Sequence, residues 1–190
     1  MQEIVFVTHN PGKIQSAQHY LQNVKLEIFR YELEEPRSDD IRAISEYKVR
    51  QAYELVKKPC ISLDAGFFIH RLNGFPRAFV NFALETVGIS GILKLMDGET
   101  DRSCCFLEYL SYYDGTKLRQ FKGIHPGTLA EQVRGRDSEK KWSELWYLFI
   151  PKGSEKTLAE MTDGERNRPR VDSREAMAEF AEYLDSVADQ

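Results

Sequence analysis

Apolar and polar positions along this chain follow two periods, and the switches between them outline an α/β order. Residues 3–7 are apolar at four of five positions and predict a buried strand. Thr8 to Lys13 follow as a loop that opens a helix, in which Ile14, Ala17 and Leu21 recur at helical spacing. Residues 25–29 alternate and predict a second strand, and a polar, acidic loop runs from about Glu32 to Asp40. The next helix covers about 40–57, with Ile41, Ile44, Ala52 and Leu55 on one face, and Cys60-Ile61-Ser62-Leu63 reads as a third short strand closed by Asp64. This β-α-β-α-β order implies a sheet with crossover connections.

The pattern then changes. Phe79 to Met96 reads as helix, with Gly88 and Gly91 breaking it into two pieces. Residues 103–113 and 117–122 flank Asp114-Gly115-Thr116, a strong hairpin signal. A further strand is expected at 127–133, a charged mobile loop from Gly135 to Lys141 and a strand from Leu145 to Ile150. Thr157 is placed to cap a short helix at Leu158–Met161, and residues 164–172 form a basic loop. Ser173 or Asp172 then caps a last helix whose buried stripe is Met177, Phe180, Ala181 and Leu184. No internal repeat or interdomain linker interrupts the chain, and 190 residues fit one domain, whole or split into two lobes.

Composition narrows the class. A hydrophobic fraction of 42% and a charged fraction of 29% are ordinary for a soluble globular protein. No run approaches the roughly 18 apolar residues of a membrane span, and the first strand starts without the flanks of a signal peptide. The expectation is a cytoplasmic protein with no membrane partner. Cys60, Cys104 and Cys105 are odd in number and match no metal-site spacing, so they read as reduced core residues. A net charge of −4 argues against a protein that coats a nucleic-acid polymer, but leaves room for a small anionic ligand in a local cationic pocket.

Four places carry candidate chemistry. Thr8 to Lys13 join a strand to a helix start, where free N–H groups and the helix dipole favour an anion, and Lys13 adds a full charge; the alternative is a plain Asn-Pro-Gly turn capped by Asn10. Lys48 falls on the buried stripe of its helix, four residues from Ile44, and either snorkels to the edge or points into a polar cleft. Asp64 stands at the carboxyl end of the third strand, where open α/β sheets bind ligands, and reads as a metal ligand, a base or a turn aspartate; Gly66 allows a tight backbone path beside it. Glu34 and Glu35 offer hard oxygen ligands of the kind magnesium takes, or a solvated acidic stretch.

Taken in order, these segments resemble the inosine/xanthosine triphosphate pyrophosphatases. That family opens with a strand and Thr/Ser-x-Asn-x-x-Lys, here Thr8-His9-Asn10-Pro11-Gly12-Lys13. Glu35-Pro36-Arg37 stands where a Glu-Ile-Gln-like segment is usual, and Lys48 on its helix is followed by Asp64-Ala65-Gly66-Phe67 in place of Asp-Ser/Thr-Gly-Leu/Phe. Leu72-Asn73-Gly74-Phe75-Pro76, Gly91 to Met96, Phe121-Lys122-Gly123, Phe149-Ile150-Pro151 and Lys156 to Met161 are similar to archaeal members. The likeness implies a two-lobed α/β fold with a long mixed β-sheet flanked by helices around a central cleft, and a homodimer. It implies hydrolysis of a nucleoside triphosphate to the monophosphate and pyrophosphate with Mg2+. It assigns Thr8, Asn10, Lys13 and Lys48 to the triphosphate, Glu35 to the metal, and Asp64 to positioning the metal or activating water.

The departures cluster. Leu63 replaces the first of two consecutive acids, Ala65 replaces the Ser/Thr, and Arg77-Ala78-Phe79-Val80-Asn81 replaces a run ending in Lys or Arg. Trp142 to Tyr147 replace Gly-Phe-Gly-Tyr-Asp-Pro, and the Ser-His-Arg before the last helix is represented by Asp172-Ser173-Arg174 or Val171-Asp172-Ser173, without its histidine. The half expected to read a 6-oxo purine has thus lost its hydrogen-bonding set, which predicts altered base choice. Trp142, Trp146 and Tyr147 either stack on a different base or belong to the core. Arg166, Arg168, Arg170 and Arg174 line the nucleotide cleft in this reading. The alternatives are a catalytically impaired nucleotide-binding or regulatory protein on the same fold, or an interaction protein in which these arginines meet an acidic partner.

Overall fold

The computed structural model describes residues 2–135, 142–166, 168, 170 and 172–188. Its strands are β1 (Glu3–Val7), β2 (Lys25–Phe29), β3 (Cys60–Ile69), β4 (Pro76–Arg77), β5 (Ser103–Tyr113), β6 (Leu118–Leu129) and β7 (Phe149–Pro151). They form one sheet in the order β2-β1-β3-β5-β6-β7, with β4 paired to β3. The sheet is mixed: β1 runs parallel to β2 and β3, while β3–β4 and β6–β7 are antiparallel. The helices are α1 (Pro11–Tyr20), α2 (Ile41–Val56), α3 (Val80–Thr86), α4 (Gly88–Leu95), α5 (Asp163–Arg166) and α6 (Ala176–Ala188). None of the described helices is long and apolar enough to cross a membrane.

The chain divides into two compact units. The first joins Met1–Ala65, Glu108–Gly123 and Arg174–Gln190, and the second joins Gly66–Leu107 and Ile124–Ser173. In the first unit, strand alternation sends neighbouring residues to opposite faces. Ile4 and Phe6 of β1, Ile61 and Leu63 of β3 and Leu110 and Tyr112 of β5 enter one apolar cluster with Ala17 and Leu21 near α1 and Met177, Phe180 and Leu184 of α6. Val5, Val7 and Cys60 turn the other way and meet Leu33 and the α2 residues Val49 and Ala52. In the second unit Phe67, Ile69, Ile92, Met96, Cys104, Leu129, Leu145, Leu148 and Phe149 form a separate core. All three cysteines are buried, as expected, and none forms a disulfide.

Local chemistry explains the boundaries. Asn10 and Asp40 cap α1 and α2 through their side-chain oxygens, and Lys57 ends α2 in the left-handed region at φ 54°. Between β5 and β6, Asp114 Oδ1 accepts from the N–H groups of Thr116 and Lys117 at 2.9 and 2.7 Å. Val87 lies between α3 and α4, and Gly88, the first residue of α4, takes φ +68°. Gly91 does not break the helix: it lies inside α4, where a Cβ would stand 2.5 Å from Val87 Cγ1, so the missing side chain permits a tight turn of packing.

Several expectations are corrected. β3 does not close at Asp64 but continues to Ile69, because Phe67 and Phe68 pair with Arg77 and Pro76 and the buried pairing overrides the weak strand preference of Asp-Ala-Gly. No separate strand forms at 127–133: residues 127–129 are the end of β6, where Gly127, Thr128 and Leu129 pair with β7, and residues 130–133 are not strand. Ser143 Oγ accepts from Leu145 N–H at 3.2 Å and starts a tight 3-10 turn at Glu144–Tyr147, leaving strand only at Phe149–Pro151. Leu158–Met161 form turns, and the short helix comes later, at Asp163–Arg166, where Thr162 and Glu165 bond each other's N–H groups at 2.8 and 3.3 Å. At the start of α6, Ala176 N–H donates to Glu108 Oε1 at 2.7 Å, while Asp172 pairs with Lys152 and Ser173 Oγ lies 3.0 Å from His125 Nδ1. Beyond Gly135, the expected loop to Lys141 lies outside the described residues.

Candidate active site

The α2 side of the first unit changes character along the strands. Near Val5, Val49, Ala52 and Cys60 it is dry. Farther along, β3 presents Ser62 and Asp64 on the face opposite Ile61 and Leu63, β5 presents Ser111, and α2 presents Ser45 and Lys48. Buried hydroxyls need partners, and these find one another. Ser45 Oγ donates to Ser111 Oγ at 2.9 Å, Ser62 Oγ donates to Ser45 O at 2.7 Å, and Gln120 Nε2 donates to Ser111 Oγ at 3.1 Å. This network fixes α2 against β3 and β5, three residues from Lys48 and two from Asp64.

Beyond it lies a cluster of charge. Lys48 Nζ donates to Asp64 Oδ1 at 2.9 Å and also to Glu35 Oε1. Lys13 Nζ stands 3.9 Å from Asp64 Oδ1 and donates to the Leu63 carbonyl. Asp64 is buried, and its second oxygen, Oδ2, has no hydrogen-bond partner. Burial, and after it the like charge of Lys48, depress the Lys13 ammonium below the ordinary lysine range in spite of Asp64. Burial also works against the Lys48 ammonium, but Asp64 and Glu35 more than offset it and raise its pKa.

Lys13, Glu35, Lys48 and Asp64 are therefore brought together from α1, the 30–40 segment, α2 and β3. Thr8 and Asn10 stand beside Lys13: Thr8 Oγ1 accepts from Asn10 N–H at 3.2 Å. The expectation of free helix-start amides is corrected, since Asn10 Oδ1 already takes the N–H groups of Gly12 and Lys13 at 2.9 and 3.1 Å and Pro11 has none. The cation of this loop is the Lys13 side chain. Gly66 follows Asp64 by two residues on β3.

In the second unit, Trp146 and Arg166 meet each other. The Arg166 guanidinium lies 5.1 Å from the Trp146 ring centroid and donates to the carbonyls of Leu158 and Met161 and to Asp163. Trp146 is buried, and the exposed aromatic is Trp142, 5.6 Å away between centroids. Arg170 donates to the Arg166 carbonyl at 2.9 Å, and Arg174, in the first unit, pairs with Glu179 at 3.3 Å. Of the departures, Leu63 belongs to the apolar cluster on the face opposite Asp64, and Ala65 and Asn81 are exposed. Sequence reasoning missed Ser45 and Gln51, polar residues three positions either side of Lys48 on α2. Their signal was the helical spacing to Lys48.

A family model described as the Ham1 family matches residues 4–183. The chain belongs to the Ham1 family. Among curated relatives, a dITP/XTP pyrophosphatase of Saccharolobus solfataricus is 36% identical over 99% of this chain and 96% of its own length. One of Thermococcus kodakarensis is 34% identical over 95% and 96%. Among solved structures, the Staphylococcus aureus Ham1 protein superposes with a TM-score of 0.82 at 21% identity, covering 98% of this chain and 100% of that one. A HAM1 protein from Coxiella burnetii gives 0.80 at 20% identity, covering 100% and 99%. These two share the fold, and the likeness to archaeal members read from the motifs agrees with the dITP/XTP pyrophosphatases of Saccharolobus solfataricus and Thermococcus kodakarensis.

Proposed function

We propose that this chain is a magnesium-dependent nucleoside triphosphate pyrophosphatase, cleaving a nucleoside or deoxynucleoside triphosphate to the monophosphate and pyrophosphate, with a base choice altered from that of its relatives. The observation that carries the reading is the convergence of Lys13 and Lys48 on Asp64, with Glu35 on the same Lys48 ammonium and one Asp64 oxygen buried without a partner. The reaction comes from the relatives named dITP/XTP pyrophosphatase.

The donor set fits a divalent ion. Asp64 Oδ2 is a buried carboxylate oxygen with no hydrogen-bond partner, and Glu35 supplies a second carboxylate on the ammonium that Asp64 Oδ1 meets, the hard-oxygen chemistry magnesium takes. The two lysines and two acids also cancel in charge, so a triphosphate gains net attraction only when a divalent cation accompanies it. Asp64 and Glu35 would hold the ion, which would supply charge neutralisation at the phosphate oxygens. Lys13 and Lys48 bind phosphate oxygens, with Thr8 and Asn10 shaping the loop beneath them. Asp64 orients the attacking water and takes its proton as oxygen bonds to phosphorus, the α–β phosphoanhydride bond breaks and pyrophosphate leaves.

The altered base choice rests on the replaced motif at Trp142–Tyr147 and the missing histidine before α6. Trp146, Arg166 and Arg174 are assigned to the nucleoside side, with Gly66 giving the backbone room near Asp64. Homodimerisation and a cytoplasmic location belong to the same proposal, the former checked by analytical ultracentrifugation. The decisive experiment incubates the pure protein with magnesium and a panel of triphosphates and measures pyrophosphate. Release from at least one substrate, abolished by chelator, is expected; none from any of them ends the proposal. A panel led by dITP and XTP would remove the altered base choice and leave the rest.

A further inference from the structure

The segment that carries Glu35 forms neither helix nor strand from residue 30 to residue 40. Its place depends on single anchors rather than on a ladder of hydrogen bonds. Two lie immediately before Glu35. Leu33 is buried against Val49 and Ala52 of α2. The Glu34 N–H donates to Gln51 Oε1 at 2.8 Å. The Glu35 side chain itself is 66% exposed, so solvent, not packing, surrounds most of it.

Gln51 lies three residues after Lys48, a spacing that puts both side chains on neighbouring parts of one helix face. A single helix therefore supplies the ammonium that Glu35 meets and the amide oxygen that fixes the backbone one residue earlier. An amide acceptor does this without adding charge to a cluster whose four charges already cancel. Holding a ligand in place before an ion arrives removes ordering cost from the binding step.

Resting on the pyrophosphatase reading, we propose that Gln51 is a positioning residue: it anchors the Glu34 backbone and so keeps the Glu35 carboxylate beside Lys48 and Asp64 for the divalent cation. Gln51 touches neither phosphate nor water in this scheme. Its effect is on metal affinity rather than on the chemical step.

The test compares wild type with Gln51→Ala, Gln51→Met and Gln51→Glu. Manganese(II) alone is titrated by electron paramagnetic resonance of the free ion, and pyrophosphate release is measured against magnesium concentration. Gln51→Ala and Gln51→Met are expected to bind manganese about three- to tenfold more weakly, the loss of roughly one hydrogen bond. They should need correspondingly more magnesium for half-maximal rate, with kcat at saturating magnesium within twofold of wild type. Gln51→Glu keeps an acceptor oxygen and adds a negative charge to the cluster, so it should bind manganese at least as tightly as wild type. Unchanged manganese affinity in both truncations overturns the proposal, as does a fall in kcat at saturating magnesium without a change in metal requirement. A wild-type protein that neither binds manganese nor releases pyrophosphate overturns the underlying enzyme reading instead, and is told apart because no variant is needed to see it.

Discussion

The two faces of the sheet in the first unit are made by the same three strands and do opposite things. Toward α1 and α6, β1, β3 and β5 contribute Ile4, Phe6, Ile61, Leu63, Leu110 and Tyr112, and the face is sealed by apolar side chains. Toward α2, the same strands contribute Val5, Val7 and Cys60, then Ser62, Ser111 and Asp64. The period of two lets one strand carry a core residue and a site residue side by side. The difference also shows how a buried acid is tolerated: hydroxyls bonded to one another separate the dry end from the charged end, and one oxygen of the buried carboxylate, Oδ1, meets an ammonium.

The comparison is broken most strongly at the acid. Asp64→Asn should lower pyrophosphate release by about 10²- to 10⁴-fold, with the far-UV circular dichroism unchanged. Retained turnover would move the chemistry away from the α2 face. On the other face, Phe180→Ala should cost about 3–5 kcal/mol of stability in urea unfolding and leave the specific activity of the folded fraction intact. Ser45→Ala falls between them: about 1–3 kcal/mol, because the hydroxyls of Ser62 and Ser111 lose a buried partner, together with reduced turnover.

The lysines sharpen the comparison through pH. Lys13 is depressed from 10.5, so the alkaline limb of kcat/KM should set in below pH 10.5 and move upward in Lys13→Arg; a limb that ignores this substitution removes Lys13 from phosphate binding. Their signs for stability are opposite. Lys48, raised by its acids, stabilises the fold below 10.5, and that contribution is lost as pH climbs through its higher folded value. Lys13, lowered by burial, disfavours the fold while protonated, and the penalty fades between its folded value and 10.5. The smallest effect is expected at the exposed Lys25–Glu3 pair on the sheet edge, where Lys25→Ala should change stability by less than about 1 kcal/mol.

Much of the first unit was legible in the chain. β1, α1, β2 and α2 follow from local period, and they begin and end within a residue or two of expectation, α1 at the cap Asn10 offered in the sequence and α2 at a cap, Asp40, that the structure supplies. β3 reads short because Asp64-Ala65-Gly66 lacks strand preference, while the partner that holds it extended, β4, is a two-residue strand beyond a turn and carries no strand pattern of its own. Lys48 could be seen on a buried stripe, but its meeting with Asp64 depends on how α2 sits on β3, which no local pattern states. Glu34 and Glu35 read alike as candidate hard-oxygen ligands, and only the family likeness singles out Glu35, since an exposed glutamate in an acidic loop carries little signal of its own. In the second unit, Leu145 to Tyr147 looked like strand by composition, and a single hydroxyl at Ser143 turned it into a 3-10 turn.

Cys60 gives the fold a built-in reporter. It lies under α2 with its sulfur donating to the Val49 carbonyl at 3.4 Å, and burial pushes its thiol up to about 12. Cys104 is buried in the core of the second unit, and burial raises it too. Neither sulfur offers a thiolate to an alkylating reagent at neutral pH until its own surroundings open. Labelling at the two sites therefore clocks the opening of each unit separately, and a nucleotide that clamps the α2 face should slow modification at Cys60 before it slows it at Cys104.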